Sequence, residues 1–304
     1  MKIQSARISL LILLFSFLSF NAHAQSSQNI GEGESMINQA NSLWVEGKYD
    51  KAIILYENIL EEDPKQIHLY ENLIKAYAYL GMFDMAKKRA KELYGRDSED
   101  PMMIGGEKCR LALIYTMQNQ SDEALRAVNK MVEVMDPKMI FPGAPTCAMF
   151  FQTKAGEHEK AAANLDKILQ VKDAGLMKYV FLLYAAYVNE KLGNIEKSEK
   201  LMASLKEGID FLRNSGTLEQ LTNQPGAAHI YMILADYHAY RGEEEKALEY
   251  LKKHYSVGGR QYYWIEHVSP FLTTIKDNPQ YVSILNTMKE DIEKMRGNVE
   301  ARQF

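Results

Sequence analysis

The chain has 304 residues, a formal charge of −4, 46% hydrophobic residues, two cysteines and eight prolines. No basic tract gathers phosphates, which excludes a nucleic-acid or polybasic membrane role. Scarce proline and the absence of alternating β-branched runs point to an all-α chain, either one or two compact domains or an elongated array.

The N-terminus comes first. Lys2 and Arg7 precede or flank an apolar run from Ile8 to Phe20, and Ala22-His23-Ala24 follows. Charge, apolar stretch and small-residue site in that order are the pattern of a secretory signal peptide. The run is 13 residues, short of the roughly 18 that span a bilayer. We expect residues 1–24 to be a signal peptide cleaved after Ala24, leaving a periplasmic or secreted chain that begins at Gln25 and inserts in no membrane. Removing Lys2 and Arg7 takes the formal charge from −4 to −6. Residues 25–34, with "GEGES", have the composition of a flexible linker.

From residue 35 the sequence repeats itself. "GKYDKAIILYENILEEDP" begins at Gly47 and "GMFDMAKKRAKEL" at Gly81, 34 residues later; Ala52 and Ala86 keep the same interval. A fixed period of this size is the mark of a repeat array. A Gly followed five positions on by a small residue recurs at Gly156/Ala161, Gly193/Ser198 and Gly242/Ala247, with Asn119 standing for Gly before Ala124. That makes six units. In each, Gly or Asn ends a helix in the left-handed conformation, and Asp50, Asp84, Asp122, Glu159, Glu196 or Glu245 opens the next helix at its positive end. The small residue lies where two antiparallel helices must approach closely. Pro64, Pro101 and Pro137 stand at unit boundaries, where they stop a helix.

These residues resemble the tetratricopeptide repeat, a 34-residue helix-turn-helix, over roughly residues 33 to 255. Ala40, Tyr49, Ile59 and Asp63-Pro64 carry the first unit; Leu73, Tyr77, Gly81 and Ala86 carry the second. Later units are longer, and "MIFPGAP" (Met139–Pro145) and "RNSGTLEQLTNQPGAA" (Arg213–Ala228) read as loops or lengthened helix ends. The tail "YYWIEHVSPFLTTIKDNPQYVSIL", Tyr262 to Leu285, is similar to the end-of-group segment that closes many bacterial tetratricopeptide arrays. Its expected role is to cover the apolar face of the last hairpin, with a final amphipathic helix over Val282–Arg296. The expected fold is an all-α, right-handed solenoid of six hairpins (35–255) with a C-terminal cap (256–304).

Motifs for chemistry are absent. No H-E-x-x-H, C-x-x-C, P-loop, G-x-S-x-G or G-x-G-x-x-G after a strand occurs. His229, His238, His254 and His267 lack ligand spacing and read as ordinary helix-surface histidines. Gly105-Gly106 and Gly258-Gly259 read as turns. Cys109 and Cys147 fall on helices, and spacing alone leaves both a disulfide and two buried thiols open. We expect no enzyme activity, no metal and no cofactor.

The resemblance to tetratricopeptide proteins implies a scaffold or adaptor. Its carboxylate clamp, carried over by repeat position, falls on Ile37, Asn41, Asn72, Gly106 and Arg110; Ile37 and Gly106 lack the family's two lysines. The concave face instead carries Trp44, Tyr79, Met117, Phe150, Tyr187, Met232 and Tyr240, with Asp236 among them. Large aromatics on such a face suit a groove for a protein or peptide segment. The expectation is a non-catalytic binding scaffold in the cell envelope that uses this groove; the alternative is a structural subunit of a permanent envelope complex.

Overall fold

The computed structural model describes residues 32–96, 99–135, 144–171 and 174–302. The expected signal peptide, residues 25–31 of the linker, Pro137 and residues 139–143 lie outside them. Among the described residues the elements are helices without a strand. Six hairpins follow one another: α1 (Glu32–Val45) with α2 (Tyr49–Glu62), α3 (Ile67–Tyr79) with α4 (Phe83–Tyr94), and α5 (Pro101–Met117) with α6 (Ser121–Val134). Next come α7 (Ala144–Lys154) with α8 (His158–Ile168), α9 (Met177–Lys191) with α10 (Ile195–Asn214), and α12 (Ala228–Tyr240) with α13 (Glu244–Ser256). A short α11 (Thr217–Thr222) precedes the sixth pair; α14 (Tyr262–His267), a 3₁₀ turn (Leu272–Ile275) and α15 (Pro279–Glu300) end the chain. This is an all-α solenoid of helical hairpins.

The six turns form as the sequence dictates. Gly47, Gly81, Gly156, Gly193 and Gly242 have φ between 71° and 79°, and Asn119 takes the same role at 59°. Five residues later Ala52, Ala86, Ala124, Ala161, Ser198 and Ala247 are all buried at the seams between paired helices. On α6 the buried stripe is Ala124, Ala127, Val128 and Met131, spaced at 0, 3, 4 and 7 as one helix face requires. Before α5 and α15 Pro occupies the first helical position behind a side-chain cap. Asp100 accepts the Met102 N–H at 2.8 Å before α5, and Asn278 the Gln280 N–H at 2.7 Å before α15.

Three sequence expectations are corrected. Residues 32–34 belong to α1 rather than to a linker. Gly105 and Gly106 lie inside α5, not in a turn: a Cβ at Gly106 would meet the Tyr94 ring at 2.4 Å, and one at Gly105 the Met135 side chain at 2.3 Å. They are glycine because α5 lies tight against its neighbours. His238 and His254 are buried, not surface residues. Of the two readings left open for Arg213–Ala228, the lengthened helix end holds: it begins as the end of a 20-residue α10 and continues into α11, which packs between α10 and α12.

Cys109 on α5 and Cys147 on α7 are joined in a disulfide with a Cα–Cα distance of 6.1 Å, tying hairpin three to hairpin four. None of the described helices is long and apolar enough to cross a membrane.

The tail does more than cover hairpin six. Helix α15 packs on α13 and also on α2 of the first hairpin, so the two ends of the array meet. Asn298 donates to Asp50 at 2.7 Å, and Gln261 to the Tyr49 hydroxyl at 3.0 Å. Gly258 lies so close to Gly47 that a Cβ on Gly47 would sit 1.9 Å from the Gly258 carbonyl oxygen. The solenoid is closed.

Candidate functional site

The inner wall is built by the first helix of each hairpin, and the chain itself covers it. The segment after Gly258 crosses this wall: α14 packs on α3 and α5, and the 3₁₀ turn packs on α12. Tyr263 stacks edge-on against Phe83 at 5.1 Å and lies against Gly81. Trp264 meets Phe150 at 5.9 Å. Phe271 is the central anchor, edge-on to Tyr184 (5.0 Å), Tyr187 (5.5 Å) and Tyr240 (5.8 Å), and 1% exposed. Side chains from the fourth, fifth and sixth hairpins therefore converge on two residues of the tail.

The eight residues expected to line a partner groove are all on this wall or behind it. Trp44, Tyr79, Met117, Met232 and Asp236 are buried; Phe150, Tyr187 and Tyr240 are half-buried. Trp44 and Tyr79 pack with Tyr49 near the seam where the ends meet, at centroid distances of 6.0 and 5.4 Å from its ring. Phe150, Tyr187 and Tyr240 surround the tail as described. These aromatics lie on first helices or pack against them. The sequence did not reveal that residues 258–275 already occupy this wall.

Polar groups on the wall are also taken up. Asp236 accepts from the Ser269 hydroxyl of the tail at 2.8 Å, and burial pushes its carboxyl up to about 7. Tyr240 donates to Glu190. Lys75 is fully buried, and burial together with the nearby Arg110 pushes its ammonium down to about 7. Of the positions that match the carboxylate clamp, Arg110 is paired with Glu71 at 2.7 Å, both nearly inaccessible, and Tyr94 donates to the same carboxylate. Asn72 and Asn41 bond each other and the Tyr56 hydroxyl. Gly106 faces Tyr94. These groups serve the core of hairpins one to three, and their donors do not converge on an open site.

The seam between the ends leaves a cavity of about 80 Å³, bounded by Trp44, Tyr49, Leu176, Pro225 and His229. Burial, with Lys75 nearby, pushes His229 down to about 4, so it is neutral at pH 7. A larger opening of about 400 Å³ lies elsewhere, between α10 and α13 with the end of α12 as its floor. Lys206, Asp210 and Arg213 come from α10, Tyr237 and His238 from α12, Arg241 and Glu243 from the turn, and Lys246, Glu249 and Tyr250 from α13. No sequence motif marks it, because three helices contribute. The one legible hint is the interval of 49 residues between Ser198 and Ala247 where its neighbours have 37 or 38.

No family model matches the chain, and no curated protein does. Among solved structures, the chain is similar to the crystal structure of MamA at 16% identity and a TM-score of 0.43, over 62% of this chain and 99% of that one. It is similar to a tetratricopeptide repeat protein from Parabacteroides merdae ATCC 43184 at 16% identity and 0.41, over 85% and 98%. It is also similar to YrrB, a TPR protein with an unusual peptide-binding site, at 19% identity and 0.38, over 57% and 84%.

Proposed function

We propose that the protein is a non-catalytic, protein-binding scaffold of the cell envelope, and that it offers its partner the outer surface and rims of the closed array. One observation carries this reading: the tail fills the inner wall and ties the last hairpin to the first. The inner aromatics are thereby spent on the fold itself, while the second helices of hairpins two to five are held in a fixed arrangement facing outward. Big apolar side chains do stand on that outside, with Phe211 68% and Val132 48% exposed. The placement outside the cytoplasm rests on the N-terminal leader pattern, and the Cys109–Cys147 disulfide agrees with an oxidising compartment.

A second reading has its own support. The wall holds residues 258–275 through aromatic anchors, as it would hold a peptide, so a partner segment of similar chemistry could exchange with the tail. Photo-crosslinking in the native envelope separates the two. A crosslinking residue at Phe211 or Val132 should give protein adducts, and one at Tyr187 none. Adducts at Tyr187 alone would sink the outer-surface reading in favour of exchange. Adducts that copurify stoichiometrically through every step would mark a permanent structural subunit instead.

A further inference from the structure

The tail crosses the inner wall between two firm ends. Helix α14 packs on α3 and α5, and α15 packs on α13 and α2. Between them residues 268–278 contain one 3₁₀ turn, Leu272–Ile275, and no longer helix. This stretch is fastened chiefly by apolar side chains, Phe271, Leu272 and Ile275, all buried. Polar contacts to α12 are added at its two ends. Thr274 donates to the Ala239 carbonyl at 3.5 Å, and the Ser269 hydroxyl donates to Asp236 at 2.8 Å. The Ser269 oxygen also accepts the Phe271 N–H at 3.3 Å, so the group that meets Asp236 orients the central anchor as well.

Asp236 is the odd residue of this contact. It is buried on α12, and Ser269, itself inaccessible, lies on it. Of the elements packed on α12, α9 brings the Tyr184 phenol near the carboxyl and the tail brings Ser269; α15 adds the Tyr281 phenol. Both phenols stay uncharged. Burial first of all holds Tyr184 well above the ordinary tyrosine range and pushes Tyr281 up to about 12. Among the described residues of α12 itself, of α13 and of α11, the wedge between α10 and α12, no charged group acts on Asp236. A carboxylate with one hydroxyl donor and no cation is costly to bury, and the neutral acid much less so. Burial accordingly pushes the carboxyl up to about 7, against the pull of Ser269. With the tail lifted, the same carboxyl meets water and returns to the ordinary carboxylate range.

We propose that residues 268–278 form a proton-fastened strap, docked on the wall while Asp236 is neutral and opening, with α14 and α15 still in place, when Asp236 is ionised. Docking then takes up a proton, so the strap loosens as pH rises from about 4 to about 7 and changes no further above that. Lifting Phe271 uncovers Tyr184, Tyr187 and Tyr240, and a neutral medium exposes this end of the wall more than an acidic one. His254, against Gly259 at the root of the tail, is lowered to about 4 chiefly by burial, and an opening that reached it would be favoured by acid instead. The strap leaves it covered. The inference concerns the tail alone and holds whichever surface a partner takes.

The test is hydrogen–deuterium exchange of the full mature chain, read by mass spectrometry at several pH values between about 5 and about 7.5. Each rate, divided by the intrinsic exchange rate at that pH, gives an opening constant for the strap and, as an internal reference, for α3. In the strap, the constant of the natural chain divided by that of Asp236→Asn should rise at least about tenfold across this range. In α3 the same quotient should stay level. Taking the quotient cancels whatever His254 contributes, and Asp236→Ser replaces the first variant if that one folds poorly. Ser269→Ala keeps the carboxyl, so its strap should open more at every pH and retain the dependence. A quotient that stays level in the strap overturns the proposal. One that rises equally in α3 also overturns it, because Asp236 would then act through global unfolding. So does a Ser269→Ala strap that opens no more than the natural one.

Discussion

Hairpins one and two keep the 34-residue period, and α2 lies directly on α3; hairpins five and six are 49 residues apart by the same landmarks, and α11 stands between them. Within each hairpin nothing changes. Ala52 and Ala247 are both fully buried, and Gly47 and Gly242 both have φ near 70°. The hairpin and the stacking of hairpins are therefore specified separately. Five or so residues around the turn determine the first, and the length and polarity of the connection determine the second. Where the connection is short the second helix of one hairpin packs directly on the first helix of the next and the junction is closed. Where it is long the junction admits charges and a cleft.

The largest effect should come from removing what both regions share. Deleting residues 259–304 uncovers the inner wall from hairpin two to hairpin six and unties hairpin one. The expected outcome is aggregation and a broad, shallow loss of helicity in circular dichroism. A sharp melt of a monomeric truncated chain would mean the tail is a separate module. Phe271→Ala, at the centre of the wall, should cost about 3–5 kcal/mol in urea unfolding, whereas Leu218→Ala on the wedge should cost clearly less, because that side chain is only partly buried. Equal costs would erase the distinction between a wall that closes the fold and a wedge that merely spaces it.

The next effect is one of pH. Asp236 has its carboxyl raised from 3.8 to about 7 in the folded chain. Between those values the folded state holds a proton that the unfolded state has released, so this group's contribution falls as pH rises from about 4 to about 7 and is flat beyond. His229 and His254, both lowered to about 4 chiefly by burial, work in the opposite sense, making stability rise with pH between about 4 and 6.5. The comparison of the natural chain with Asp236→Asn isolates the carboxyl. The variant should gain stability relative to the natural chain at pH 7.5 and lose that advantage at pH 4.5, by denaturant midpoints. Parallel pH profiles would count against a buried Asp236.

Smaller still, Ala52→Leu and Ala247→Leu should each cost about 1–3 kcal/mol by overpacking a helix seam, alike in spite of their different junctions. Lys51→Leu, on the exposed face, should stay within about half a kcal/mol. A cost at Ala247 well below that at Ala52 would show that the wedge relaxes the hairpin itself.

The hairpins were legible because their constraints are local. A left-handed residue, a small seam residue five places on and an acidic first turn all lie within one short window, so Gly47, Ala52 and Asp50 announce themselves. Closure was not legible. Asn298 and Asp50 are 248 residues apart, and a single hydrogen bond leaves no period to detect. The aromatic wall was half legible: Phe150, Tyr187 and Tyr240 are where the repeat register places them, yet a groove and a filled groove have the same residues along the repeats. Phe271 was noticed only as part of a cap motif, and its position between the fifth and sixth hairpins follows from the path of the tail. Gly105 and Gly106 misled because turn glycines and glycines of close helix contact look alike until the neighbours, Tyr94 and Met135, are in place.

The meeting of Gly47 with Gly258 changes the order in which the chain can finish folding. An open array can grow hairpin by hairpin, each step needing only its predecessor. Here the first hairpin waits for the final helix, the last described element to leave the ribosome, and contacts spanning most of the chain must form late, after a large loop-closure cost. Until then the aromatics of five hairpins stand uncovered. Folding should thus show a slow final phase in which Trp44 and Trp264 fluorescence changes together, and the unclosed intermediate is the species that a chaperone or a protease would meet.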